Sequence, residues 1–87
     1  MEKLITIEGR DFQADLAGFV RFGDVAHRLL NQQSQYASRY IDGKIDGYPN
    51  LGFGLRFYGE SDNYHDVRIH KDDIEEFIRR YRDNEKR

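Results

Sequence analysis

The chain has 87 residues, a formal net charge of -2 and no cysteine, so it makes one domain with a modest core and excludes disulfides, zinc–thiolate centres and cysteine nucleophiles. No apolar run approaches the roughly 20 residues of a membrane span, and the N-terminal MEKLITIEG lacks the apolar region of a secretory signal; both predict a cytoplasmic protein with no membrane partner. A negative balance opposes indiscriminate phosphate binding, yet the acids gather towards the end of the chain while His27, Arg28, Arg39, Lys44 and Arg56 occupy its middle, so a local basic face is compatible with the sum.

In chain order, Lys3 to Ile7 reads as a short strand, Glu8-Gly9 as a turn and Arg10 to Ala14 as its partner strand. Asp15 to Gly18 is a connector, and Phe19, Val20 and Phe22 are apolar residues leading into a helix. Val25, Ala26, Leu29 and Leu30 line one face of that helix. Asn31-Gln32-Gln33 makes a polar break. A second helix follows, with Tyr36, Ala37, Tyr40 and Ile41 inward and Gln35, Ser38, Arg39 and Asp42 outward. Asn31 and Ser34 are both good N-caps for it.

Asp46 to Asn50 is dense in turn formers and ends the helical region. Leu51 to Tyr58 and Tyr64 to Ile69 then alternate as two strands around the turn Gly59 to Asn63. Leu55, Phe57, Val67 and Ile69 fall on one face, and Arg56, Tyr58, Asp66 and Arg68 on the other. The hairpin has the form of a wing. Ile74, Phe77, Ile78 and Tyr81 stand at i, i+3, i+4 and i+7 and predict a closing helix. Asp72, Asp73, Glu75 and Glu76 open it and Arg79, Arg80 and Arg82 end it, as the helix dipole favours; Glu75 with Arg79 and Glu76 with Arg80 add pairs one turn apart. Residues 83–87 read as a frayed tail.

Taken together, helix, turn, helix, glycine, hairpin and a closing helix opening on Asp-Asp resemble the small winged helix-turn-helix proteins of the excisionase and MerR-like group. The resemblance rests on Phe22-Gly23-Asp24-Val25-Ala26 at the start of the first helix, Arg39 to Ile45 at the end of the second, and Arg68 to Ile78 at the return strand and closing helix. Asn31-Gln32-Gln33 replaces the family's usual turn glycine, and the interval from Ala26 to Arg39 is about two residues longer than usual, which leaves the register of the second helix open. The expected fold is therefore α+β: a compact winged helix-turn-helix with three helices, a wing β-hairpin and an extra N-terminal β element. Residues 1–18 form that extension, 19–82 the winged core and 83–87 the tail.

The resemblance implies a non-enzymatic, sequence-specific double-stranded DNA-binding protein. It would be a transcription regulator or a DNA recombination directionality factor of phage or mobile-element type, binding as a homodimer or cooperative array. If the second helix enters the major groove, Gln32, Gln33, Gln35, Ser38 and Arg39 are its base contacts, because glutamine matches adenine and arginine guanine. Arg28, Lys44, Arg56 and Arg68 are the phosphate contacts, which position without reading sequence. The acids Glu60 and Asp62 at the wing tip would repel a phosphate. The alternative is a protein-interaction module, an inhibitor or adaptor that keeps the winged fold and engages a protein through its acidic surface or N-terminal β element. His65 and His70 lie five residues apart, on opposite faces of a strand, so no shared metal ion is expected; no cofactor is expected, and no catalytic motif is present.

Overall fold

Glu8 and Gly9 both take positive φ, 52° and 76°, the backbone twist that a two-residue hairpin turn requires. They join β1 (Lys3–Ile7) to β2 (Arg10–Ala14), with Ile7 opposite Arg10 and Lys3 opposite Ala14, as the alternation predicts. The computed structural model describes residues 2–59 and 66–86. Phe19, Val20 and Arg21, read from sequence as a lead-in to a helix, form a strand of their own, β3 (Phe19–Arg21). With β4 (Phe57–Tyr58) and β5 (Arg68–His70) the order is β1-β2-β3-β5-β4, antiparallel throughout. The N-terminal element therefore extends the wing sheet.

Three helices cover one face of this sheet. The first, α1, begins at Phe22–Val25 and continues as a wider turn over Ala26–Leu30, in which the Asn31 N–H returns to the Ala26 carbonyl. The second, α2, is a single helical turn, Ser34–Ala37, tightened over Ser38–Tyr40. After a tight turn at Lys71–Asp73 comes α3 (Ile74–Glu85), so the tail expected to fray is helical as far as Glu85. Its inward residues Ile74, Phe77, Ile78 and Tyr81 are buried, as their spacing predicts.

The core runs from Phe12, Val20 and Ile69 on the sheet to Phe22, Val25 and Phe77 on the helices. Phe77 holds its centre: its ring lies 5.3 Å from Phe22 and 5.9 Å from Phe57, edge to face. Such pairs contribute about 0.5–1.5 kcal/mol beyond their buried area. A second aromatic contact, Tyr40 to Tyr81 at 5.2 Å, attaches α2 to α3.

The hairpin is shorter than its sequence alternation suggests. Residues 51–55 are turns closed by the Leu55 N–H on the Gly52 carbonyl, and only Phe57–Tyr58 pairs with β5. The reason is tertiary: Gly52 packs directly against the Ile41 carbonyl, and Arg80 on α3 donates to the carbonyls of Leu51 (3.0 Å) and Phe53 (2.7 Å). These contacts hold the segment against α3 and away from β5. Phe53 is left 77% exposed. The expected alternation of faces holds for the described part, with Val67 and Ile69 buried and Arg56, Tyr58 and Asp66 exposed. The expected turn Gly59 to Asn63, with Glu60 and Asp62 at the wing tip, lies outside the described residues except for Gly59, as does the expected strand start at Tyr64.

Long polar contacts lock the layers. Arg82 donates to both carboxylate oxygens of Glu8 (3.0 and 3.1 Å) and to the Leu29 carbonyl (3.2 Å), joining the first hairpin, α1 and α3. Arg79 bonds Glu76 and Asp83, while Glu76 also takes Arg80. Arg79 is thus paired with Glu76 and Asp83, not with the expected Glu75, and its guanidinium, with that of Arg80, holds the Glu76 carboxyl below the usual range. Asp73 accepts the Arg56 backbone N–H at 2.8 Å and its Nε at 2.9 Å, binding the edge strand to the start of α3.

Three substitutions test this packing. A Cβ at Gly52 would stand 2.3 Å from the Ile41 carbonyl oxygen and 2.7 Å from the Phe57 ring, so Gly52→Ala is expected to lower the urea-unfolding free energy by about 3 kcal/mol. Gly47→Ala meets nothing within 4 Å but sits at φ +88°, and is expected to cost about 1 kcal/mol. The Arg56 guanidinium holds the Asp73 carboxyl below its ordinary 3.8. The charged form is the favoured one in the fold, so the stabilisation is complete above 3.8 and disappears as pH falls through the lowered folded value. In thermal melts across pH, the advantage of the wild type over Asp73→Asn should be constant near neutrality and vanish at strongly acidic pH.

Candidate nucleic-acid interface

The turn between α1 and α2 is made by Asn31, whose φ of 55° and ψ of 40° are left-handed. Asparagine tolerates this conformation better than other side-chain-bearing residues, and it takes the place of the expected glycine. The Gln32 N–H also returns to the Ala26 carbonyl, at 3.0 Å. The residue that opens α2 is Gln33, in extended conformation and without a side-chain cap, so neither Asn31 nor Ser34 caps the helix. Gly23 lies against Ser34 where the two helices meet.

This start sets the register that the sequence left open. Ser34, Ala37, Ser38 and Ile41, at i, i+3, i+4 and i+7, turn inward, whereas Tyr36 is 51% exposed. This reverses the expected roles of Tyr36, placed inward by its sequence spacing, and Ser38, placed outward. Ser38 is 3% exposed and its hydroxyl donates to the Gln35 carbonyl at 3.2 Å, so it does not belong to the outward set. Gln33 and Gln35 are exposed at the leading end of α2 and joined by a 2.7 Å amide bond, with Gln32 half-buried beside them.

Arg39 follows on the same helix and is half-buried. Its Nη1 donates to the Tyr48 hydroxyl at 2.9 Å, and its guanidinium carbon lies 5.2 Å from the Tyr36 ring and 5.3 Å from the Tyr48 ring. Stacking between two aromatic faces holds a planar cation in one orientation. Sequence spacing placed Tyr36 inward and Arg39 outward, whereas here they meet, and Tyr48 joins them because the loop folds back onto Tyr40, 5.1 Å away.

Each proposed phosphate contact has an internal partner. Arg28 donates to the Asp11 carbonyl and covers the Phe12 ring at 5.4 Å. Lys44 is 3.7 Å from Asp42, Arg68 is 3.8 Å from Asp15, and Arg56 reaches both Asp73 and Asp72. These contacts differ in strength. Exposed ion pairs contribute about 0–1 kcal/mol, so Lys44, 73% exposed, can exchange Asp42 for a phosphate at little cost. Arg56 donates two side-chain hydrogen bonds to a carboxylate that is 15% exposed, which makes it a structural tie. Asp15 is itself held charged, because the N–H groups of Phe19 and Ala17 and the nearby Arg68 depress its carboxyl.

His70 accepts the Asp72 N–H on Nδ1 and places its ring edge-on to Phe19 at 5.2 Å. His65 lies outside the described residues. Among the described residues no group of three or more His, Asp or Glu side chains could hold a metal ion, and no helix is long and apolar enough to cross a membrane. Arg21 was not singled out by sequence, and Arg80 and Arg82 were read only as the basic end of the closing helix, since an arginine's partner across the fold has no local signal. No family model, curated protein or solved structure matches the chain.

Proposed function

We propose that the protein is a non-enzymatic, sequence-specific double-stranded DNA-binding protein of excisionase or MerR-like type. It acts as a small transcription regulator or a recombination directionality factor of a phage or mobile element, binding as a dimer or cooperative array. The observation that carries this reading is the winged helix-turn-helix frame, with Gln33 and Gln35 exposed at the leading end of α2 and Gln32 and Arg39 beside them. Amides there suit adenine edges, and the stacked Arg39 suits guanine. Lys44 supplies the exchangeable backbone contact, with Arg28 flanking, whereas Arg68 lies on the sheet face turned away from the helices.

A second reading is favoured by a separate observation. The cations expected to meet phosphate hold partners within the chain, and the net charge is negative. A protein-interaction module would instead use the surface around Glu8, Glu75 and Asp83, or the open edge of β1 with its exposed Leu4, which can accept a partner strand.

Selection from a random duplex library at low salt distinguishes the two. Enrichment of one sequence, with Gln35→Ala and Arg39→Ala each losing about 1–3 kcal/mol of discrimination at a single position, is the outcome expected of the DNA reader. A two-fold symmetric selected site would accompany dimeric binding. Absence of any enriched duplex, together with a stoichiometric protein recovered on the tagged chain from its own cells, would replace it with the interaction module.

A further inference from the structure

The outer face of the sheet, turned away from the helices, brings arginines and aromatic rings together. Arg21 on β3 stands directly opposite Arg68 on β5, and Tyr58 on β4 is opposite Arg68 from the other side. Opposed residues of an antiparallel ladder project to the same face, so Tyr58, Arg68 and Arg21 form one row. Phe19 and His70 form the next. Their rings meet at 5.2 Å, and Tyr58 reaches diagonally to Phe19 at 5.8 Å. Between the rows, Val20 and Ile69 are fully buried on the core side, which identifies this as the solvent face.

Arginine opposite arginine is a destabilising pairing, and nothing in the packing requires it. Asp15 compensates Arg68 in part, but 3.8 Å is too long for a hydrogen bond. Arg21 makes no ion pair or side-chain hydrogen bond with the described residues. Two guanidinium groups therefore present donors to solvent beside Tyr58, which is 62% exposed. Arg56 shares the face, its carbonyl accepting the His70 N–H, but its guanidinium is committed to Asp73. Asp66, exposed where the chain enters β5, limits the anion site to the Arg21–Arg68 pair.

We propose that this face binds single-stranded nucleic acid, a base stacking on Tyr58 and a backbone phosphate lying between Arg21 and Arg68. Arginine pairs match phosphate geometry, and a neighbouring aromatic ring takes the face of a base that is not already stacked in a duplex. Rows two residues apart along a strand are separated by about 7 Å, comparable to the step between nucleotides in an extended strand. A broad sheet does not enter a duplex groove, whereas a single strand can lie across it. The site is separate from α2 and stands whether or not α2 reads duplex DNA.

Fluorescence anisotropy with a short labelled oligothymidylate, titrated with salt, tests the assignment. The wild type should bind at low ionic strength. Arg21→Glu should weaken binding at least about tenfold and reduce the magnitude of the log–log salt slope by about 0.7, one single-strand phosphate contact, while Arg21→Lys should retain most of the affinity. Tyr58→Ala should lose about fivefold or more. Gln35→Ala, which probes α2 on duplex DNA, should leave oligothymidylate binding unchanged. All of these side chains are exposed, and circular dichroism reports whether each variant is folded. The proposal is overturned by no binding at low ionic strength, by wild-type affinity in folded Arg21→Glu and Tyr58→Ala, or by loss of single-strand binding in Gln35→Ala.

Discussion

The pairing of β3 with β5 joins the first quarter of the chain to the last, and the rest of the architecture follows from it. Val20 opposes Ile69 with both side chains fully buried, and the Phe22 N–H continues the ladder onto the Val67 carbonyl at 2.9 Å. α1 starts on the residue after β3, and the turn into α3 starts on the residue after β5. Once these strands pair, both helices begin on one side of the sheet and Phe22 meets Phe77. The N-terminal hairpin adds to one edge of the pair through β2, and β4 adds to the other.

Relative magnitudes show which contacts hold the fold and which only tune it. Full burial of a large apolar side chain contributes about 1.5–3 kcal/mol, and Phe12, Phe22, Ile69, Ile74 and Phe77 are all in this class. An exposed ion pair contributes about 0–1 kcal/mol. Arg82 on Glu8 and Arg80 on the 51–55 turn therefore act mainly by orienting surface segments over a core that is already formed. They decide where loops lie. Arg80 fastens the Leu51 and Phe53 carbonyls to α3, beside a β4 of only two residues.

The same pairings change what the net charge means for binding. Glu8, Asp15, Asp73 and Glu76 each face an arginine within the fold, so much of the negative charge is neutralised locally. The arginines bound to Glu8, Asp73 and Glu76 are correspondingly withdrawn from service as phosphate contacts, whereas the longer Asp15 contact leaves Arg68 donors facing solvent. Among the cations considered for binding, Lys44 sits in a weak exposed pair, Arg39 is held between two tyrosines, and Arg21 faces Arg68 on the outer sheet. The field that a partner meets depends on this distribution, with salt screening anything beyond about 10 Å.

Periodicity in the sequence determined the elements whose stability is local or whose burial pattern is strict. The Lys3–Ile7 and Arg10–Ala14 hairpin follows from alternation around a Glu-Gly turn, and α3 follows from apolar residues at helical spacing between acidic and basic ends. The left-handed turn at Asn31 was also legible, because few other residues adopt that conformation. Tertiary structure decided the rest. Phe19–Arg21 is too short to declare itself a strand and becomes one because β2 and β5 flank it. The second helix could rotate by a residue without violating its own pattern; packing chose Ser38 over Tyr36 for the inside, and so removed one expected base contact. Arg39 met Tyr48, and Arg21 met Arg68, only after the chain had folded, because a side chain's partner across a sheet or loop is set by register and closure, which no local run of residues encodes.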